Sequence, residues 1–320
     1  MTVAPLALPA RRPRAVTADV LYREVLRAAA ACVLVVVAVI VYQTARGAGP
    51  ALHTYGARFL TGTEWDPVAE HFGALPYVFG TLVSSLLALA LALPPCVGAA
   101  VYLSELAAPR VGEAMAFLIE MLAAVPSIVY GLWGLFVLAP WLRAGIEPWL
   151  IAHLGFLPLF RGFPFGIGML NAVVVLAVMI APTIISISRE VLLATPGALR
   201  EAALALGATR SEALGVTLRV ARPGILGAVI LALGRALGET MAVTMVIGNS
   251  NAMSWSLLSP SATMSSVIAN EFAEATGKLH ASALIEIALV LFALTVLVNA
   301  VARLLVYWTT GGRRHDAARA

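Results

Sequence analysis

Long apolar runs separated by short polar segments dominate the chain. The runs lie at about 25–45, 77–103, 113–140, 165–188, 224–248 and 282–308. A helix needs about 20 such residues to cross the hydrocarbon core, and the runs lack the alternation of strands. Lipid offers no hydrogen-bond partners, so only helices or closed barrels can span it. The pattern therefore predicts an all-α integral membrane protein with six transmembrane helices.

Composition supports this prediction. The chain is 61% hydrophobic and 12% charged, whereas a soluble domain carries about 25% charged residues. Its net charge of +4 comes without a basic patch interleaved with aromatic residues, so no nucleic-acid partner is expected. Cys32 and Cys96 lie in different apolar runs, which predicts no disulfide framework. No metal site and no cofactor are expected.

Positive charge is divided unequally between the two sides of the predicted spans. Of the 21 Lys and Arg residues, 15 lie in the N-terminal arm, at Arg110, in the 189–222 loop and near the C-terminus. Five lie on the other side, and Arg235 lies within a run. Because cytoplasmic loops are enriched in Lys and Arg, both termini and the 189–222 loop are predicted to be cytoplasmic.

The 189–222 loop carries a short helix-forming segment that reads Glu-Ala-Ala, three residues, then Gly. A short amphipathic helix ended by glycine at the base of membrane helices is a surface that a soluble partner could grip. The same string occurs by chance in soluble helices, so a plain connector is the alternative. Its place in the longest basic loop favours a docking loop. The candidate docking residues are Glu201, Ala202, Ala203 and Gly207.

Two charged residues, Arg235 and Glu239, lie four positions apart in the fifth apolar run. At this spacing they would share one helical face and could touch. In a structural interpretation they neutralise each other and fix helix packing. In a functional one, Arg235 offers a bidentate fork to an oxyanion, and Glu239 accepts hydrogen bonds from its OH groups. Charge within a membrane is functional by default, which favours the second interpretation.

Hydrogen phosphate carries such OH protons near neutral pH, whereas sulfate carries none, so the carboxylate would favour phosphate. Thr240, beside Glu239, and Ser127, beside Pro126, extend the candidate substrate pathway. For such hydroxyl groups an interhelical hydrogen bond is the alternative role. No residue is predicted to be catalytic.

The segment from Gly234 to Thr244, followed by Gly248-Asn249, resembles the signature of the PstC-type permease of phosphate-specific ABC importers. Segments 72–76, 80–82 and 124–134 are also similar to that family, and the resemblance covers nearly all of the chain from about 70 to 308. The 201–207 spacing resembles the loop that docks ABC importer permeases into a groove on an ATPase. One departure is clear. The family has Leu-Pro after the loop glycine, whereas here Leu218 is followed by Arg219.

The resemblance implies a type I ABC importer permease-like core in the bacterial inner membrane. It implies a non-catalytic subunit that moves inorganic phosphate from a periplasmic binding protein into the cytoplasm. The implied partners are a second, PstA-type permease as a heterodimer, two PstB-type ATPase subunits and a PstS-type phosphate-binding protein, all acting at the lipid bilayer.

The expected domains follow the spans. They are a cytoplasmic basic arm at 1–24, the first transmembrane helix with its periplasmic loop at 25–76, a permease core at 77–308 with the docking loop at 189–223, and a cytoplasmic tail at 309–320.

Two alternatives remain at this point. An arginine fork serves any oxyanion, so sulfate or molybdate could be the substrate. An intramembrane enzyme is less favoured, because the three aspartates lie outside the apolar runs and no His-Glu-x-x-His occurs. There is also no Gly-x-x-x-x-Gly-Lys-[Ser/Thr] loop, so any ATP would bind another chain.

Overall fold

The computed structural model describes residues 13–316, with side chains from 20 to 308. Residues 1–12 of the expected arm and 317–320 of the expected tail lie outside the described residues. The α-helical segments are α1 Pro13–Gly47, α2 Gly49–Tyr55, α3 Arg58–Thr61, α4 Leu75–Val101, α5 Pro109–Ala123, α6 Ser127–Trp133, α7 Ala139–Trp141, α8 Glu147–Leu154, α9 Met169–Leu193, α10 Gly197–Ala205, α11 Arg210–Leu237, α12 Met241–Val246, α13 Met264–Glu271 and α14 Lys278–Asp316.

Short π-helical segments extend some of these helices. Tyr102–Leu106 continues α4, while Gly134–Leu138 and Leu142–Ile146 join α6, α7 and α8 into one rod. Two short strands, β1 Trp65–Asp66 and β2 His71–Phe72, pair antiparallel.

Six helices in the described part of the chain are long and apolar enough to cross a membrane. This confirms the predicted all-α fold with six transmembrane helices. In chain order the spans are Val20–Gly47, Leu75–Leu106, Ser127–Leu154, Met169–Leu193, Arg210–Leu237 and Lys278–Trp308.

The third span is displaced from its predicted position. The apolar pattern predicts it at 113–140, whereas the structure has it at Ser127–Leu154. Pro109–Ala123 is a separate helix of 15 residues, too short for the roughly 20 that a span needs. Pro126 separates the two helices, because proline restricts the residue before it and cannot donate a backbone hydrogen bond. With one arginine and two glutamates, the separate helix suits the membrane interface.

The fifth span also differs from its prediction, which placed it at 224–248. The observed helix Arg210–Leu237 begins earlier. Its start is fixed by a capping box, in which the Thr209 side chain accepts from the Glu212 backbone N–H and the Glu212 carboxylate accepts from the Thr209 backbone N–H. The helix ends 11 residues before the predicted limit, and the short helix Met241–Val246 follows after a break.

The fourth span, Met169–Leu193, is the centre of the fold. Of the most apolar 18-residue stretch of each span, 56% is buried within the protein in the fourth span, 28% in the second and 0% in the first. It packs along the second and fifth spans, and small buried residues such as Ala88 and Ala172 let the helices approach closely. The first span instead lies mainly against the sixth and exposes its apolar side chains, as a lipid-facing helix does.

A close backbone contact joins the second span to the segment that precedes α13. A Cβ atom at Gly80 would lie 2.1 Å from the carbonyl oxygen of Ala262. One residue on, Thr81 Oγ1 accepts the backbone N–H of Met264 at 2.9 Å. Gly80 therefore has a packing role that no larger residue can fill without moving the backbone.

The segment between the first and second spans folds onto the end of α13 and the start of the sixth span. Trp65 Nε1 donates to Glu271 Oε2 at 2.8 Å, and His280 Nε2 lies 3.0 Å from the same oxygen. The Phe72 ring stacks on His280 at a centroid distance of 5.4 Å. Nearby, the N–H groups of Ala69 and Val68 hydrogen-bond the Asp66 carboxylate and hold its pKa below its usual value.

Candidate functional site

The candidate docking loop contains a well-formed helix, Gly197–Ala205, that projects from the base of the fourth and fifth spans. None of its residues is buried. Glu201 and Ala202 are exposed, and Ala203 is half-buried. Three of the four predicted docking residues therefore lie on one accessible helix, and Gly207 follows its end. We call Gly197–Ala205 the docking helix after that prediction.

Gly207 ends the docking helix in a left-handed conformation with φ of +89°. The backbone N–H of Gly207 donates to the carbonyl oxygen of Leu204 at 3.0 Å, and the backbone N–H of Ala208 donates to the carbonyl oxygen of Ala203 at 3.1 Å. These two bonds form a Schellman motif, which satisfies carbonyl groups left free at a helix end. Glycine adopts this backbone without steric cost, so the final glycine of the sequence motif has a structural reason.

The chain between the docking helix and the fifth span is short and rigid. Thr209 begins the capping box immediately after the Schellman motif, so two helix caps lie within four residues. At the tip, the Leu206 side chain is 90% exposed. The Leu218-Arg219 departure from the family pattern lies inside the continuous helix Arg210–Leu237 and leaves the docking helix intact.

Arg235 lies in the last turn of the fifth span and is half-buried. The 25 residues that separate it from Arg210 correspond to about 38 Å along the helix axis at 1.5 Å per residue. Among the described side chains, no carboxylate lies within 4.0 Å of its guanidinium.

The prediction that Arg235 and Glu239 share one helical face is wrong. The helix ends at Leu237, with Gly238 as its C-cap, and the two charged side chains form no ion pair. Glycine has a low helix propensity, and here it ends the helix before the fourth residue is reached. The turn is tight, because the Glu239 backbone N–H donates to Ala236 at 3.4 Å.

Glu239 instead caps the next helix. Its Oε1 accepts the backbone N–H of Ala242 at 3.1 Å, and its backbone carbonyl accepts from Ser265 Oγ at 2.7 Å. Oε2 makes no hydrogen bond with the described residues. One carboxylate oxygen thus holds the backbone, and the other is available.

The two candidate hydroxyl residues lie apart. Thr240 is half-buried beside Glu239, and its Oγ1 donates to the Gly238 carbonyl at 3.4 Å. Ser127 is the half-buried first residue of the third span, and no hydrogen bond joins it to Arg235, Glu239 or Thr240 within the described part of the chain. The structure therefore brings Arg235, Glu239 and Thr240 to one helix break but leaves Ser127 without a contact to them.

Sequence reasoning missed two partners of these elements. Glu105, at the end of the second span, forms an ion pair with Arg200 on the docking helix. Ser265, at the start of α13, bonds the backbone of Glu239. Both contacts join residues far apart in the sequence, and no spacing pattern within one segment indicates them.

Comparison with known families decides the class of protein. Residues 97–310 match the model of the family described as binding-protein-dependent transport system inner membrane component. The chain belongs to this family. It is therefore a membrane-embedded transport component, and the family description names dependence on a binding protein.

Curated relatives of this permease cover nearly its whole length. It is 43% identical to the phosphate transport system permease protein PstC of Mesorhizobium japonicum, over 89% of each chain. It is 44% identical to the protein of the same name from Pasteurella multocida, over 90% of this chain and 91% of the relative. A more distant relative, the probable phosphate transport system permease protein PstC of Methanocaldococcus jannaschii, is 33% identical over 83% of this chain.

Solved structures agree with the fold of the permease. A chain of a bacterial ABC transporter involved in the import of the acidic polysaccharide alginate superposes with a TM-score of 0.59. The match covers 90% of this permease and 98% of that chain at 15% sequence identity. At this identity the likeness supports the ABC permease architecture alone.

Proposed function

We propose that the chain is the transmembrane permease subunit of an ATP-driven importer that carries inorganic phosphate from a periplasmic binding protein into the cytoplasm. The observation that carries this proposal is the 43–44% identity, over about nine-tenths of the chain, to proteins named as phosphate transport permeases. The alternative substrates sulfate and molybdate have no comparable support.

The helix break at the end of the fifth span is the proposed contact with phosphate. Arg235 has no carboxylate partner among the described side chains, so its guanidinium N–H groups can bind a phosphate oxygen pair. The tight turn keeps Glu239 near the end of that helix, and its Oε2 can accept a hydrogen bond from the OH group of hydrogen phosphate. Thr240 adds a hydroxyl group beside them, and Ser127 lies on the same proposed pathway at the start of the third span.

The docking helix is the proposed contact with the ATPase. Glu201, Ala202 and Ala203 present an accessible helical surface, and Gly207 ends it sharply. The exposed Leu206 at the tip supports a protein contact, because an isolated helix tip has little reason to expose a large apolar side chain to water. ATP hydrolysis then takes place on the partner chain.

The assembly proposed around this chain contains a second, PstA-type permease, two PstB-type ATPase subunits and a PstS-type phosphate-binding protein. Both termini and the docking helix lie in the cytoplasm, in agreement with the division of Lys and Arg between loops. The proposed domain limits are those of the sequence: the arm at 1–24, the first helix and loop at 25–76, the core at 77–308 and the tail at 309–320.

Reconstitution tests the proposal. The chain is placed in proteoliposomes with its partner permease and ATPase, and uptake of labelled phosphate is measured with and without ATP and binding protein. The expected result is uptake only when both are present. Uptake that needs neither, or no uptake by the complete assembly, would contradict it.

A further inference from the structure

One ion pair joins the docking helix to a membrane span that is distant in sequence. Arg200 lies directly before Glu201 on the docking helix, and its Nη1 contacts Glu105 Oε2, 95 residues away. Glu105 belongs to Tyr102–Leu106, the π-helical end of the second span. Short π-helical segments within α-helices are often found at functional sites.

The pair is built more firmly than a surface ion pair. The Glu105 side chain is only 9% exposed, whereas the Arg200 side chain is 44% exposed. Screening by solvent and salt is weaker for a partly buried pair. Loss of either partner would leave a charge without compensation, which costs more than loss of the pair as a whole.

The second span connects this pair to the core. It packs along the fourth span over much of its length. Near their cytoplasmic ends, Ala100, Leu192, Ala221 and Ile225 of the second, fourth and fifth spans form one buried cluster. The docking helix itself buries no residue. The Arg200–Glu105 ion pair connects it directly to the second span, which belongs to this buried cluster.

We propose that the Arg200–Glu105 ion pair stays closed during the transport cycle and transmits movement of the docking helix to the second span. This inference rests on the proposed function, since a partner ATPase must move the docking helix. Arg200 and Glu105 are positioning residues: neither contacts phosphate or ATP. Movement of the docking helix reaches the fifth span through the covalent chain, whereas it reaches the second span through this ion pair.

A charge-swap experiment in the reconstituted complex tests the proposal. Arg200→Gln and Glu105→Gln should each lower phosphate uptake per ATP hydrolysed by at least about fivefold, the lower end of typical coupling between sites. ATPase co-purification should be unchanged. The double variant Arg200→Glu/Glu105→Arg should restore most of the coupling. Glu105, Arg200 and Arg210 all line one cavity of about 340 Å³. Arg210→Gln is the matched control, because Arg210 forms no ion pair among the described side chains.

Two outcomes of this experiment would overturn the inference. One is normal uptake per ATP in both single variants. The other is a swapped variant that assembles with the ATPase but couples no better than the single variants. Absence of ATP-driven uptake by the unaltered complex would contradict the proposed function, and with it this inference. Normal uptake by that complex allows the inference to be judged separately, from the variants.

A cross-link decides the matter if the swapped variant does not assemble. Arg200→Cys and Glu105→Cys are introduced into a Cys32→Ser/Cys96→Ala background, which removes both native thiols, and are joined by a short bifunctional thiol reagent. The cysteine variant without the cross-link should have low uptake per ATP. If the pair stays closed during transport, the cross-link should restore that uptake. Arrest of transport by the cross-link would show that the pair opens, contrary to the proposal.

Discussion

The Glu239 carboxylate accepts the backbone N–H of Ala242 at 3.1 Å and so caps the short helix after the fifth span. This contact gives Glu239 a structural role directly after the break at Gly238, and Arg235 lies in the last turn of the helix before that break. The two duties proposed for the carboxylate, one on the backbone and one on phosphate, use different oxygens. They can therefore be separated by substitution.

Glu239→Gln should keep the helix cap and lose phosphate selectivity. The amide oxygen can still accept a hydrogen bond from the Ala242 backbone N–H, while the NH2 group cannot accept one from the OH of hydrogen phosphate. Glu239→Ala should lose the cap as well, at a cost of about 0.5–2 kcal/mol of stability. Thermal unfolding of the purified complex measures the loss of stability in Glu239→Ala. Phosphate uptake in the presence of sulfate measures the loss of selectivity in Glu239→Gln. Wild-type selectivity in Glu239→Gln would remove the carboxylate from substrate recognition.

Arg235→Ala should strongly lower uptake without preventing assembly. Loss of a charged hydrogen bond of about 1.5–3 kcal/mol corresponds to a decrease of about 10- to 150-fold. Arg235→Lys is the matched control: it retains the charge, loses the bidentate fork and should transport at an intermediate rate. Uptake and co-purification of the ATPase are measured on the same preparation. A variant that fails to assemble would instead indicate that Arg235 fixes helix packing.

Gly207→Ala should weaken the end of the docking helix. Its φ of +89° is strained for any residue with a Cβ, although there is open space around the added atom, and the cost is about 1–2 kcal/mol. Amide hydrogen exchange across the docking helix should then be faster by about 5- to 30-fold, because this free energy increases the population of the locally open helix by that factor. Gly215→Ala, in open space within the fifth span, should not accelerate it. Equal exchange in both variants would contradict the role assigned to the Schellman motif.

Gly80→Ala should destabilise the packing of the segment that precedes α13 on the second span. The added Cβ would lie 2.1 Å from the Ala262 carbonyl oxygen, and such overpacking costs about 1–3 kcal/mol. Gly98→Ala, on the same helix with no atom within 4 Å of the added Cβ, is the control and should leave the melting temperature of the detergent-solubilised complex unchanged or raised. An unchanged melting temperature in Gly80→Ala would be inconsistent with this close approach.

Much of the fold could be predicted from the sequence, because membrane spans are encoded by long apolar runs. The number and type of spans follow from that pattern, and the docking helix follows from a local motif with its own cap. The exact limits do not. Pro126 ends an amphipathic helix that hydropathy merges with the third span, and Gly238 stops the fifth span between two residues that an ideal helix would bring together.

The candidate site was harder to predict, since its contacts cross between distant segments. Arg235 is visible in the sequence as a charge within an apolar run. Its separation from Glu239 depends on a helix break, and the ion pair of Glu105 with Arg200 depends on packing across 95 residues. Single-sequence periodicity describes one element at a time and carries no information on such pairs.

This permease carries phosphate across the membrane. The most direct measurement is ATP-dependent uptake of labelled phosphate by proteoliposomes that hold the chain with its partner subunits, challenged with excess unlabelled phosphate, sulfate or molybdate. We expect only unlabelled phosphate to compete. Equal competition by sulfate or molybdate, or no uptake by the complete assembly, would contradict the substrate assignment.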